Sequence, residues 1–371
     1  MPKIEIVLFG KGTGESILIN CGDNEWIVVD CCIEPESNLP APIAYFNDLG
    51  LDYKNLIKKV VISHFHDDHI RGMGVLIEGI PNAEIYISDA LSLHESAAFF
   101  AFHEQHKNSI KNESGISEFL KILNTLSSRN KSFEHVKANT LIHQTRGSII
   151  QLFTMSPSDS DCQVTKQKFI TLVKESEKGK MPAVPRDFSN AHCVTLVLST
   201  SNTDCPYNDI VFGSDLEVDL KTGGWDAAIN SRVAPQNTAK VFKISHHGSV
   251  TGYHQPTWNK CFTANPIGIL TTFNKGRRPL PDIDLVTAYS KLTEKLYSTT
   301  TPKCFLSKKV SREQRKINDI IEKHARSVKI LNSTTKSFGS IHLSKDMTVP
   351  DEYQIILKGN ARCLKALLIA S

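Results

Sequence analysis

Short apolar runs, rather than long helical stripes, open the chain. The runs KIEIVLF, SILIN and EWIVVD are rich in isoleucine and valine, and the turn-like stretches GKGTGE and CGDN separate them. Short β-branched runs divided by Gly or Asp-Asn turns are typical of strands that pair in sequence. The pattern therefore predicts an antiparallel meander of three strands within the first thirty residues.

Helices and strands alternate after this meander. A helix is predicted over PAPIAYFNDLG, followed by the strand KKVVIS, a short helix over RGMGVLIEGI and the strand AEIYIS. Residues 91–135 differ because their apolar positions recur at helical spacing with few β-branched runs. We expect a helical insertion there, followed by a return to strand at GSIIQLFTMS and a helix over TKQKFITLVKESEKG.

The second half of the chain again shows short apolar runs that predict strands, followed by segments that predict helices. Strands are predicted over CVTLVLST, DIVFGSD, VFKIS, IGILTTFN and SIHLS, and helices over DLVTAYSKLTEKL and REQRKINDIIEKHARSV. Two halves of strands and then helices predict an α+β chain with a four-layer sandwich, rather than a regular βαβ alternation.

Composition narrows the class of protein only a little. The net charge of +4 over 371 residues permits a nucleic-acid partner without indicating one. Nine cysteines without a CxxC pair predict reduced thiols in the cytoplasm. The N-terminus has no signal-peptide pattern, and no apolar run reaches about 18 residues, so we expect a soluble chain without membrane spans.

Candidate metal ligands crowd into one stretch, VVISHFHDDHIRG. His64 and His66 alternate in extended backbone as a strand ends, so both imidazoles can face one ion. Asp68 and His69 follow where a helix begins and should face a second direction, with Asp67 as a spacer. The spacing predicts part of a site for two metal ions. The alternative is a solvated polar loop.

Three residues further along the chain can supply the missing ligands. His192 precedes the strand CVTLVL, Asp215 follows DIVF, and His247 lies in SHHGS after a strand. A carboxylate at Asp215 could bridge two ions. For His192 the alternative is a hydrogen-bonded surface histidine beside a strand.

These motifs resemble the metallo-β-lactamase superfamily. Its HxHxDH signature corresponds to residues 64–69, preceded by a strand-end Asp30 and followed by a His, a bridging Asp and a final His. VFGSDLE, VFKISHHGS and GKGTGESILI further resemble the hydrolase domain of ComEC-type competence DNA-uptake proteins. The resemblance implies an αββα four-layer sandwich of the metallo-β-lactamase type over residues 1–350, with a C-terminal extension over 351–371.

The resemblance also implies a ligand arrangement for two divalent ions, zinc or manganese. His64, His66 and His192 would hold one ion and Asp68, His69 and His247 the other, with Asp215 between them. Asp68 and Asp215 would then serve the attack of an activated water. Asp30 would orient a ligand, or merely cap a turn. His246 is a candidate proton donor, or a packed or solvated imidazole.

A basic loop suggests the substrate. Lys275, Arg277 and Arg278 would match phosphate oxygens, although a solvated loop explains them as well. The leading hypothesis is a metal-dependent phosphodiesterase, a nuclease that attacks phosphorus in DNA. The alternatives are a hydrolase of a lactone, thioester, lactam or cyclic nucleotide, and a non-catalytic regulatory protein. A homodimer or a regulatory protein partner is left open.

Overall fold

Two large β-sheets form the centre of the computed structural model of the protein. The structure describes residues 3–22, 24–105, 114–146, 150–178, 190–200, 209–218, 223–275, 278–306, 338–346 and 353–370. The predicted helix over REQRKINDIIEKHARSV lies outside these residues.

Among the described residues, the first sheet has eight strands in the order β17-β16-β1-β2-β3-β6-β7-β8. Its strands are β1 Lys3–Gly10, β2 Glu15–Asn20, β3 Trp26–Val29, β6 Ile57–Val61, β7 Glu84–Ser88, β8 Glu134–Val136, β16 Gly339–Asp346 and β17 Gln354–Gly359. The predicted meander is confirmed, because β1, β2 and β3 pair antiparallel in sequence. From β3 onwards the pairing is parallel. A small ribbon joins β4 Ile33–Glu34 to β5 Leu39–Pro40.

The second sheet also has eight strands within the part of the chain that the structure describes, in the order β18-β15-β14-β13-β12-β11-β10-β9. These are β9 Leu141–Gln144, β10 Ile150–Thr154, β11 Leu196–Thr200, β12 Asp209–Phe212, β13 Ala239–Lys243, β14 Phe262–Leu270, β15 Lys295–Ser298 and β18 Arg362–Cys363. Strands β12 to β15 are parallel, so their carboxyl ends lie along one edge.

Helices cover the outer face of each sheet. They are α1 Ala41–Asp48, α2 Tyr53–Leu56, α3 Asp67–Ile70, α4 Met73–Gly79, α5 His94–Gln105, α6 Ser114–Ser128, α7 Asp159–Glu177, α8 Trp225–Ala228, α9 Gln255–Cys261, α10 Ile283–Ser290 and α11 Leu364–Ala370. Among the residues described, no helix is both long and apolar enough to cross a bilayer.

The alternation of side chains along β1 explains the layered core. Ile6 and Leu8 face the second sheet and pack in a cluster that includes Leu196 and Ile210. Val7 and Phe9, which alternate with them along the strand, face the other way, towards the helices. Because successive side chains of a strand point to opposite faces, one strand contributes to two cores. A third cluster lies between the second sheet and its helices. The predicted four-layer αββα sandwich is confirmed.

The segment predicted as a helical insertion packs against the HxHxDH stretch. At Gly115, near the start of α6, an added Cβ would lie 2.0 Å from the carbonyl oxygen of Phe65, so only glycine allows this approach. The ring of Phe65 meets Phe100 of α5 edge-on, with 5.0 Å between ring centroids. The insertion therefore supports the backbone between His64 and His66.

One prediction about secondary structure is wrong in part. The helix predicted over DLVTAYSKLTEKL ends at Ser290, and Lys295–Ser298 is strand β15 instead. The strand forms because Lys295 to Ser298 pair in parallel with β14 and antiparallel with β18. Tertiary pairing outweighs the local helical spacing there.

Candidate metal centre

The strand ends of both sheets meet at one edge of the sandwich. Strand β6 of the first sheet leads into the loop that carries His64 and His66, and α3 then carries Asp68 and His69. In the second sheet, the turn after β12 carries Asp215, and the 3₁₀ turn His246–Gly248 follows β13. The structure thus brings residues from distant parts of the chain together, as the sequence predicts for a metal site.

Asp215 lies between two groups of possible ligands. The first group is His64, His66 and Asp215, and the second is Glu15, His69, Asp215 and His247; within each, one ligand atom per residue lies within 4.8 Å of the others. Asp68 adjoins the second group, with its Oδ2 3.0 Å from Nε2 of His247 and 3.9 Å from Nε2 of His69. Asp215 therefore stands where a bridging carboxylate would stand.

Hydrogen bonds on the outer ring nitrogens hold the histidines in place. The carboxylate of Asp30 lies 2.7 Å from Nδ1 of His69 and accepts bonds from the amide and hydroxyl of Ser63. The Ser63 hydroxyl is also 2.9 Å from Nδ1 of His64. Nδ1 of His247 is 2.9 Å from the Thr271 carbonyl oxygen. With Nδ1 engaged, the Nε2 atoms face the site, the arrangement common among metal-binding histidines.

Buried polar atoms show that these residues fit a cation. Nε2 of His64, Nε2 of His69 and Oδ1 of Asp215 are buried and make no well-aligned hydrogen bond among the described residues, although the last two atoms lie 3.2 Å apart. Such atoms are costly unless a ligand satisfies them. A donor set of imidazole nitrogens and carboxylate oxygens suits zinc and manganese.

The electrostatic field around His69 also favours positive charge. Burial opposes protonation of the ring, but Asp215, Glu15, Asp30 and Asp68 raise the pKa of His69 well above its ordinary value. At His64, burial and then the neighbouring His69 hold the pKa well below its ordinary value, so that ring is neutral. A neutral imidazole has the lone pair that a metal ligand needs.

His192 lies in the same region but in neither group of ligands. It is fully buried in the 3₁₀ turn Asn190–His192, and its ring centroid is 5.7 Å from that of Phe65. Among the described residues it does not approach both His64 and His66 as closely as Asp215 does. Its role as a third ligand to the first ion stays a prediction.

His246 points into the site from its rim. Its Nδ1 is 2.7 Å from Oε1 of Glu217, and its Nε2 is 3.9 Å from Oδ2 of Asp215. Asn190 and Thr251 donate to the same Glu217 oxygen, at 3.3 and 2.8 Å. Burial lowers the pKa of His246, but Asp215 and Glu217 outweigh it and raise that pKa. The side chain is 22% exposed, so a substrate can reach it.

The basic loop begins beside His247. The ring of Phe273 stacks on His247 with 5.4 Å between centroids, and the amide of Asn274 donates to the Gly12 carbonyl at 2.6 Å. Lys275 and Arg278 on this loop are exposed. Arg277 lies outside the described residues.

Three charged residues of the site are absent from the sequence-based prediction. Glu15 and Lys243 form a buried ion pair, and Glu217 holds His246. Lys243 interrupts the apolar strand VFKI, and Glu15 opens the apolar strand ESILIN. A charged residue in a strand that is otherwise buried is a signal for such a partner. Glu217 carries no comparable signal.

Comparisons with known proteins agree with this architecture. Residues 10–123 match the family model of the metallo-β-lactamase superfamily. No curated protein matches the chain. The two-sheet architecture and the family match identify the fold as the sandwich of the metallo-β-lactamase type.

Several solved structures are similar to the chain at low identity. Metallo-β-lactamase SMB-1 bound to 2-mercaptoethanesulfonate is 13% identical, with 64% of this chain and 76% of that chain covered and a TM-score of 0.34. The subclass B3 metallo-β-lactamase MEM-A1 from a soil metagenome library is 11% identical, with 71% and 75% covered and a TM-score of 0.33. The dizinc quorum-quenching lactonase AidC is 15% identical, with 54% and 57% covered and a TM-score of 0.29.

Proposed function

We propose that the protein is a hydrolase that uses two divalent metal ions, zinc or manganese, to cleave phosphodiester bonds in DNA. The observation that carries the proposal is the convergence of two histidine and carboxylate groups on Asp215, with buried ligand atoms that make no well-aligned hydrogen bond among the described residues. A solvated loop would expose these atoms to water instead.

The ligand set divides between the two groups. His64 and His66, with His192 as the third histidine, would hold one ion, and Asp68, His69 and His247 the other, with Asp215 shared. When bound, such ions lower the pKa of a water molecule and stabilise charge on phosphoryl oxygens. Asp30 keeps Nδ1 of His69 engaged, so that Nε2 faces the site.

The proton that the leaving oxygen needs can come from His246. Its Nε2 lies at the rim near Asp215, while Glu217 accepts a hydrogen bond from Nδ1 and fixes the orientation of the ring. A positioned histidine of this kind is the usual general acid. Asp68 and Asp215 would serve the attack of the water that the ions activate.

DNA as the substrate rests on two further features. The exposed Lys275 and Arg278 follow Phe273, whose ring stacks on His247, and we propose that they bind phosphates beside the bond that is cut. The VFGSDLE and SHHGS motifs resemble those of ComEC-type hydrolase domains, which belong to DNA-uptake proteins.

A cleavage assay on the purified protein tests the proposal. Labelled single- and double-stranded DNA and RNA are incubated with manganese, zinc or magnesium. We expect cleavage of DNA with at least one metal and none for Asp68→Ala. Asp67→Asn is the matched control, because Asp67 is next to Asp68 in the chain but its carboxylate lies 3.9 Å from Arg71, whereas that of Asp68 contacts His247 at 3.0 Å.

Other outcomes would replace the proposal. Cleavage of RNA alone would change the substrate class and leave the reaction unchanged. Hydrolysis of a lactone, thioester, lactam or cyclic nucleotide without cleavage of nucleic acid would establish a small-molecule hydrolase. A protein that holds no metal and cleaves none of these substrates would be a regulatory protein on the same fold.

A further inference from the structure

A buried ion pair links the two sheets directly behind the candidate metal centre. Glu15 begins β2 in the first sheet and Lys243 ends β13 in the second, and Nζ of Lys243 lies 2.5 Å from Oε1 of Glu15. Both side chains are 1% exposed. Apolar side chains would often stabilise such a position as well or better, so stability alone does not account for the pair.

Glu15 contacts the outer side of two ligand histidines. Its Oε1 is 3.7 Å from Nδ1 of His69, and its Oε2 is 3.7 Å from Nδ1 of His247. Oε2 also accepts the hydroxyl proton of Thr271, whose carbonyl oxygen is 2.9 Å from Nδ1 of His247. Both Nε2 atoms face Asp215, at 3.2 and 3.7 Å. Glu15 therefore lies behind the histidines rather than among the ligands.

Lys243 holds the turn that presents Asp215. Its ammonium donates to the carbonyl oxygen of Ser214 at 3.2 Å, and its own carbonyl oxygen accepts the amide of Gly213 at 2.9 Å. Ser214 has a φ of 43°, in the left-handed region that side chains rarely adopt. Its carbonyl oxygen also accepts the amide of His246. One lysine thus fixes the strained turn immediately before the shared carboxylate.

We propose that Glu15 and Lys243 form a positioning pair that preorganises the candidate metal centre. Glu15 fixes His69 and His247, and Lys243 fixes Asp215, so the ligands are in place before a cation arrives. The inference rests on the proposed function, because it requires divalent cations at this centre. Groups behind metal ligands contribute to affinity by holding the ligands in their binding geometry.

Titration with zinc against a competing chelator tests the pair on the full-length protein. In Glu15→Gln we expect the cation at His69 and His247 to bind about 10–100-fold more weakly. The cation at His64 and His66 should bind unchanged, a split that general loss of structure would not produce. The variant His66→Ala identifies which binding step belongs to which group.

Two further variants show whether weaker cation binding comes from lost positioning or from loss of folding. Lys243→Met should weaken both binding steps, because both groups share Asp215. The double variant Glu15→Gln/Lys243→Met removes both charges and should fold at least as well as either single variant, yet keep the weakened affinity. Lys59→Met is the matched control, since Lys59 pairs with Glu84 outside the candidate centre.

Each result decides between distinct conclusions. Wild-type affinity at both steps in the double variant would overturn the positioning role. Complete loss of one cation from Glu15→Gln, with both retained in Lys243→Met, would make Glu15 a direct ligand and overturn the role too. A wild-type protein that binds no cation would overturn the proposed function, and the inference with it.

Discussion

The two sheets supply the candidate metal centre in different ways. After β6 in the first sheet, four possible ligands fall within the six residues from His64 to His69. In the second sheet, Asp215 and His247 come from separate turns, more than thirty residues apart in the chain. One half of the site is therefore local in sequence, while the other half exists only once the parallel strands β12 and β13 are paired.

Backbone conformation differs between the halves as well. His66 is extended and α3 then begins in the ordinary way. In the second sheet, Ser214, His246 and His247 have φ values of 43°, 45° and 52°. Non-glycine residues in the left-handed region are uncommon and cluster at functional sites, where the surrounding structure holds them. The assembled half thus depends on its neighbours more than the local half does.

The variant Asp215→Ala should have the largest effect, because it removes the one carboxylate common to both ligand groups. We expect turnover to fall by at least about 10³-fold, with the fold retained. Steady-state cleavage rates and circular dichroism would measure both. Turnover within tenfold of wild type would contradict the assignment of Asp215 as the bridge.

His246→Ala should have the next largest effect, about 10²-fold on the rate, while both cations stay bound. Metal analysis of the purified variant separates His246 from its neighbour His247. Glu217→Gln keeps a partner for Nδ1 without the charge, and should reduce the rate less. Loss of a cation from His246→Ala would instead place His246 among the ligands.

His192→Ala tests whether His192 completes the ligand set of the ion at His64 and His66. As a third ligand, His192 should contribute at least the roughly 10–100-fold in affinity that groups behind ligands contribute, here at His64 and His66. Loss of His192 should leave the affinity for the cation at His69 and His247 unchanged. If both affinities stay at the wild-type values while the protein becomes less stable, His192 only packs against Phe65.

The double variant Lys275→Gln/Arg278→Gln should have the smallest effect. Phosphate contacts made by exposed cations raise affinity without acting on the bond that breaks, so we expect KM to rise about tenfold with kcat unchanged. The salt dependence of KM should also become weaker. Glutamine substitutions at the exposed Lys54 and Lys174 provide a control for net charge. Unchanged KM and salt dependence would leave the loop as solvated surface.

Sequence patterns predicted the backbone conformation between His64 and His69 well. The period-two spacing of His64 and His66 and the helix start at Asp67 are local features, and the structure has both. The αββα architecture followed from the order of strands and helices. The family match over residues 10–123 covers this half of the site and not Asp215 or His247.

The rest of the site depends on contacts that no local pattern encodes. Glu15 and Lys243 are 228 positions apart, so the local sequence around either residue does not indicate that they pair. Glu217 matters because a left-handed turn aims His246 at it. Likewise, the predicted helix continues to Leu296, but Lys295–Ser298 becomes a strand because β14 and β18 lie on either side.

The strands contributed by residues 353–370 have a consequence for folding on the ribosome. Strand β17 completes the first sheet beside β16, and β18 completes the second beside β15. Until this segment has left the exit tunnel, β16 and β15 form sheet edges in place of β17 and β18, and unpaired edges are prone to pairing with other chains. A stalled chain would expose the four residues of β15 as an edge of the second sheet, where the folded chain has only the two residues of β18. Pairing of β18, rather than formation of the meander, would give the second sheet this short edge.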